Sequence, residues 1–218
     1  MPVRETHRAG FALTHHPTTK VHPMILYFAP GACSLADHIA LHEAGLKFDR
    51  VKVDLKARKT EDGRNYAQIN PKGYVPALQF DDGQLLTENI AILSWVADQA
   101  PALAPKGEMG RYRLLEALAY ISTEIHKGFK PMFTPGATDE DKAKASAAIA
   151  KRLGFLAERM DGDYLFGSQF SVADAYLFVM LMWAKKNAVA IEGPLPAYFD
   201  RVKARPAVRQ ALEHEGLG

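Results

Sequence analysis

Four places along the chain bring together side chains that can do chemistry. Cys33 is the only cysteine. It follows the apolar run Met24-Ile25-Leu26-Tyr27-Phe28 and the turn Pro30-Gly31, and it precedes Leu35, Ile39, Ala40, Leu41 and Ala44 at helical spacing. That pattern predicts a thiol in the first turn of a helix. Orphan amides and the helix dipole favour an anion there, so the thiol pKa is expected to fall from its usual value of about 8.5 toward neutrality. A lone cysteine serves equally as inert packing, and Ser34 beside it offers a hydroxyl in its place.

Val75-Pro76 lies just before an apolar strand pattern, where an X-Pro bond is a candidate for the cis form; an ordinary trans turn is the plainer reading. In the cis form Pro76 offers no amide, and the Val75 backbone turns outward to pair with an extended ligand. Thr87-Glu88-Asn89 sits between a strand and a helix, where backbone amides and a short polar side chain can hold a carboxylate, or simply cap the helix. Glu88 could instead meet an amino group. His126 repeats with Tyr112 and Ala119 every seven residues on one helix face, a spacing that by itself reads as a hydrogen-bonded interior histidine.

The elements that must position these residues change character near residue 100. From Met24 to about Ala100 the pattern reads β-α-β, a connecting segment, then β-β-α, with Asp81-Asp82-Gly83 as a hairpin turn between Ala77–Phe80 and Gln84–Leu86. Ala100 to Gly107, with two Pro and one Gly, reads as a linker. Beyond it Tyr112, Leu115, Leu118, Ser122, Ile125 and Phe129, and then Ala145, Ala148, Ile149, Leu153, Leu156 and Met160, mark two long amphipathic helices. Ser171-Val172-Ala173-Asp174 is a capping box that opens the apolar run from Ala175 to Trp183.

Composition narrows the classes of function. With 48% hydrophobic and 24% charged residues, 218 residues are enough for a packed globule of one large or two modest domains. The 27 Lys and Arg nearly balance 25 Asp and Glu without a long single-sign run, so a nucleic-acid partner is not expected. No apolar run approaches the ~20 residues of a membrane span, and no membrane partner is expected. One cysteine excludes an intramolecular disulfide framework and a multi-thiolate metal site, and it suits a reducing cytoplasm. Residues 1–23 read as a disordered extension outside the fold. Their His7, His15, His16 and His22 admit a metal-binding reading, set beside that of a solvated tail; no metal is otherwise expected.

Read in order, three segments resemble the glutathione-binding half of a glutathione transferase: Ala29-Pro30-Gly31-Ala32-Cys33-Ser34-Leu35; Ile69-Asn70-Pro71-Lys72-Gly73-Tyr74-Val75-Pro76-Ala77-Leu78; and Leu85-Leu86-Thr87-Glu88-Asn89-Ile90-Ala91-Ile92. Ile125-His126-Lys127-Gly128-Phe129 and Phe170–Phe178 carry the resemblance into the helical half, and Cys33 with His126 makes it similar to the bacterial beta class. The resemblance spans residues 24–217. It implies an α/β thioredoxin-like domain over 24–101, an all-helical domain over 109–218, a homodimer, and the cis form of Pro76. It further implies that Cys33 faces the glutathione sulfur with Ser34 and His126 nearby. The Val75 backbone would pair with the cysteinyl part, Glu88 and Asn89 would hold the γ-glutamyl end, and Arg58 would meet a carboxylate or nearby backbone. Two positions depart from the family: Ala119 stands where an Asn is frequent, and Arg58 where Lys is common.

The expected chemistry is attack of glutathione thiolate on an apolar electrophile such as a halide or epoxide. Thiol exchange through Cys33 is a second expectation. A glutathione-binding scaffold without turnover is the alternative, which Ala119 favours and Cys33, Glu88 and His126 oppose. Phe129, Phe133 and Trp183 either line the electrophile pocket or belong to plain core.

Overall fold

The computed structural model describes residues 24–218, so the readings made for residues 1–23 lie outside it. The chain opens with strand β1 (Met24–Phe28), helix α1 (Ser34–Glu43) and strand β2 (Phe48–Asp54). β1 pairs in parallel with β2, with Met24 opposite Phe48. Its other edge runs antiparallel to a later strand, with Tyr27 opposite Ala77. As a central strand it is covered on both faces, which is why Leu26, Tyr27 and Phe28 are all buried and no alternation of polar residues appears. Gly45, at φ +65°, ends the first helix region as expected of a left-handed C-terminal glycine.

The segment expected only to connect holds two further elements. β3 (Lys59–Thr60) adds an antiparallel edge to β2, and α2 (Tyr66–Ile69) is a single turn capped by Asn65, whose side chain accepts from the Ala67 amide at 3.0 Å. Both are too short to produce a period in sequence. The hairpin of β4 (Ala77–Gln79) and β5 (Leu85–Thr87) follows, then α3 (Asn89–Gln99). The sheet order is β3-β2-β1-β4-β5.

Pro101–Leu103 forms a 3₁₀ turn pinned by buried Leu103. α4 (Gly110–Tyr120) starts where a Cβ on Gly110 would run into the Pro105 carbonyl oxygen, so the close approach requires glycine. The helix expected to run on through Phe129 changes its winding. Ile121–His126 is a π-helical turn in which the Lys127 amide reaches back to the Ser122 carbonyl, and a 3₁₀ turn (Lys127–Phe129) and α5 (Lys130–Phe133) follow. The buried line is Leu114, Leu118, Ile121, Ile125 and Phe129. Tyr112, read as part of an apolar face, is instead 62% exposed, and Ala119 is exposed as well, whereas His126 is half-buried. The wider turn breaks the seven-residue register and rotates the histidine inward.

α6 (Asp139–Ala157) begins with a Thr138–Asp141 capping box and α7 (Val172–Lys186) with the expected Ser171–Asp174 box. α7 is buried from Val172 through Leu181. It is the central helix of a continuous core: α1 and α8 (Leu195–Lys203) pack against it, and α9 (Pro206–His214) packs on α1. Among the described residues no helix is long and apolar enough to cross a membrane.

Candidate active site

Cys33 is the N-cap of α1, one residue earlier than a place within the first turn, and its Sγ lies 3.5 Å from the Val75 carbonyl oxygen, to which the thiol donates. The bond between Val75 and Pro76 is cis. The expected depression of the thiol pKa does not occur. Burial, reinforced by the Asp37 carboxyl below, pushes the thiol up to about 12, outweighing the helix amides of Cys33 and Ser34 that pull it down. Cys33 is therefore a neutral S–H at physiological pH.

α3 starts on the same side of the cleft. Glu88 precedes it at φ +77°, a left-handed backbone for a non-glycine residue, and makes no side-chain cap bond. Its carboxylate instead takes the Lys72 ammonium at 2.5 Å and the Tyr74 hydroxyl at 2.6 Å, and the Lys72 contact first of all holds its pKa below the ordinary range. Asn89, the first helical residue, turns its amide inward. It donates to the Cys33 carbonyl at 2.9 Å and to Asp37 Oδ2 at 2.8 Å. Asp37 is fully buried, with Oδ1 unpartnered among the described residues, and burial pushes its carboxyl well above the usual value.

From the helical half, the π turn delivers His126. Its Nδ1 is 2.6 Å from the Tyr176 hydroxyl of α7. Burial, with Lys127 adding, lowers the imidazole to about 4. Burial raises the Tyr176 phenol, which keeps its proton. The protonated phenol and the neutral imidazole share this bond, and which of the two donates sets the tautomer of the ring. Trp183 packs edge-on to His126 at 5.0 Å and donates from Nε1 to the Gly31 carbonyl at 2.8 Å, tying the helical half to the loop that carries Cys33. Cys33, Val75, Glu88, Asn89, His126 and Tyr176 line a cleft of about 860 Å³.

A family profile described as "Glutathione S-transferase, N-terminal domain" matches residues 32–99, and its C-terminal counterpart matches residues 139–214. Glutathione S-transferase GstA of Escherichia coli O157:H7 is 45% identical over 200 residues, which is 89% of this chain and 100% of that protein. The chain belongs to the glutathione S-transferases.

Solved structures of the family agree. BphK, a bacterial glutathione S-transferase solved as a ternary complex, is 49% identical with a TM-score of 0.84, covering 88% of this chain and 100% of its own. The bacterial beta class enzyme of Sphingomonas chungbukensis is 51% identical with a TM-score of 0.81, over 89% and 100%. The fold is the glutathione transferase fold, a thioredoxin-like mixed-sheet half followed by a helical half. The class is the bacterial beta class, and the protein is an enzyme, a glutathione transferase.

Of the residues singled out in sequence, Cys33, Val75, Pro76, Glu88, Asn89 and His126 all line this transferase's cleft. Ser34 and Arg58 do not. Ser34 is fully buried, and its hydroxyl is committed to Ala29, accepting from the amide at 3.2 Å and facing the carbonyl oxygen at 3.4 Å. Arg58 is exposed at φ +54°, and its carbonyl accepts from the Tyr66 amide at 2.9 Å, a role in holding β3 to α2. Phe129 is core, Trp183 packs edge-on against it and against Phe133, and none of the three lines the cleft. Tyr176, Lys72, Tyr74 and Asp37 had no role assigned from sequence. Tyr176 left one usable signal: a hydroxyl inside the apolar run of α7 needs a buried partner.

Proposed function

We propose that this transferase binds glutathione along the Val75 and Glu88 edge of the cleft and couples its sulfur to apolar electrophiles such as aryl halides or epoxides. One observation carries the reading: the Cys33 thiol and the His126 imidazole meet in one cleft beside the uncapped N-terminus of α3. The orphan amides of α3 suit the γ-glutamyl carboxylate. Glu88 exchanges Lys72 for the ligand ammonium, and the Val75 backbone pairs with the cysteinyl unit. Ser34 and Arg58 are left without a catalytic or binding role.

The glutathione thiol loses its proton to solvent, and donors around the sulfur favour the thiolate. The thiolate attacks the electrophilic carbon, a C–S bond forms, and the halide leaves with the bonding pair. Holding Cys33 as a thiol suits donation to a thiolate and disfavours exchange, because thiolate is the attacking species in disulfide chemistry. We assign the protein to the cytoplasm as a homodimer acting in detoxification, on the strength of the family likeness and the single reduced cysteine.

The test is glutathione-dependent turnover of an aryl halide by wild type and Cys33→Ala, alongside disulfide reduction. Conjugation retained within about 10-fold in the variant, with disulfide reduction near background in both, supports the reading. Conjugation abolished in Cys33→Ala, or disulfide reduction exceeding conjugation, overturns it.

A further inference from the structure

We infer that His38, His42 and His214 form a divalent transition-metal site, best suited to zinc, where the end of α9 crosses α1 on a face away from the cleft. His38 and His42 are four residues apart and share one face of α1, and His214 is the last residue of α9. One ring nitrogen from each lies within 4.8 Å of the other two. His42 Nε2 and His214 Nδ1 are 3.3 Å apart. Two nitrogens bound to one tetrahedral zinc at about 2.0–2.1 Å stand roughly 3.3 Å apart, so that edge of the site is already formed. Half-buried His42 and exposed His214 have the freedom to complete the closure toward His38.

The strongest pointer is His38. It is fully buried, and its Nδ1 pairs with Glu215 Oε1 at 2.9 Å, while Nε2 has no partner among the described residues. A neutral imidazole with Nδ1–H on a carboxylate presents a bare lone pair at Nε2, the arrangement that fixes a metal-binding histidine. Glu215 is itself anchored, its Oε2 accepting from the Gly31 amide at 2.8 Å. Phe28 and Phe48 wall the rings at 5.7 Å from His38, giving the dry side of the site.

The charges facing the cluster are Arg50, which opposes a cation, and Glu213 and Glu215, which favour one. Three imidazoles fit Zn²⁺, Cu²⁺ or Ni²⁺ over hard oxygen-seeking ions, and exposed His214 leaves the fourth position to water. A bound ion would clamp the C-terminal end of the chain to the helix capped by Cys33.

The test uses the full chain stripped of metal by a chelator that is then removed. Zinc is titrated against a chromophoric competitor, with cobalt(II) as a spectroscopic probe and the melting temperature as a second readout. One zinc per chain, a four-coordinate cobalt spectrum and a zinc-dependent rise in Tm are expected. The surface variant His42→Ala/His214→Ala should lose about 100-fold or more in zinc affinity and the Tm rise, with glutathione turnover unchanged. Replacing His7, His15, His16 and His22 by Gln should leave the site intact. Affinity unaltered in the double variant, or lost with the four N-terminal histidines, overturns the inference.

Discussion

The Tyr176 hydroxyl stands 2.6 Å from His126 Nδ1, and this one bond couples the tautomer of the histidine to the phenol. Two helices must meet for it to form, and the π turn is what brings the ring round to α7. Tyr176→Phe removes the partner at Nδ1, so the ring is no longer oriented from α7 and its tautomer is no longer coupled to the phenol. Turnover should fall about 10-fold in kcat with little change in glutathione affinity. Steady-state kinetics with both substrates varied checks the split, and a pure KM effect contradicts it.

The same histidine makes the fold sensitive to acid. His126 is held at about 4 in the folded state, below the ~6.5 of an unfolded chain. As pH falls from 6.5 the unfolded state takes up this proton first. Stability is full above 6.5 and declines toward pH 4, by on the order of 3 kcal/mol from this group. Denaturant titrations across that range should show a shallower decline for His126→Gln than for wild type. Equal slopes would remove His126 as a source of acid sensitivity.

Glu88 keeps its carboxylate for a ligand, since it does not cap its own helix and holds Lys72 and Tyr74 only at the surface. Glu88→Gln preserves shape and removes the charge. Glutathione should bind about 10- to 100-fold more weakly, as expected for a charge-assisted hydrogen bond of about 1.5–3 kcal/mol, while kcat at saturation stays within a few-fold. Isothermal titration calorimetry measures the first and kinetics the second; unchanged affinity would exclude Glu88 from the binding edge.

Asn89 joins α1 to α3 from beneath the cleft. Its amide donates to the Cys33 carbonyl, which also accepts from the Ala36 amide, and to Asp37 Oδ2, whose other oxygen has no partner among the described residues. Asn89→Ala should destabilise the fold by about 1–3 kcal/mol and shift the denaturation midpoint accordingly. A neutral effect would mean that water or a neighbour replaces the amide.

Asp174 is the most heavily committed side chain of the helical half, accepting from the Ser171 amide and hydroxyl, the Leu165 amide and the Tyr198 hydroxyl. Asp174→Ala orphans several buried donors together and should cost about 3–5 kcal/mol. Thermal unfolding with a normal Tm would contradict this.

The sequence made the regular elements plain wherever a period had room to develop: β1, α1, the β4–β5 hairpin, and α7 with its box at Ser171 and Asp174. β3 and α2 stayed invisible because two and four residues carry no period. The π turn stayed invisible because a helix with one wider turn keeps nearly the same apolar spacing, and it misled the seven-residue reading that set His126 beside exposed Tyr112 and Ala119. At the site, position along the chain located Cys33 at a helix N-terminus. Its ionisation was misjudged because burial and Asp37, both products of tertiary packing, outweigh the helix amides. Ser34 and Cys33 are adjacent, yet only one faces the cleft, a difference set by the turn at Ala29. His42 and His214 are 172 positions apart, so their cluster arises only when α9 closes on α1.

The most direct measurement is the pKa of the glutathione thiol in the binary complex with Cys33→Ala, followed by thiolate absorbance as pH is raised. Cleft donors that favour the thiolate predict titration below the ~8.5 of a free thiol, moving back toward it when His126→Ala is added. A bound thiol that titrates at the free value in both proteins would contradict the account.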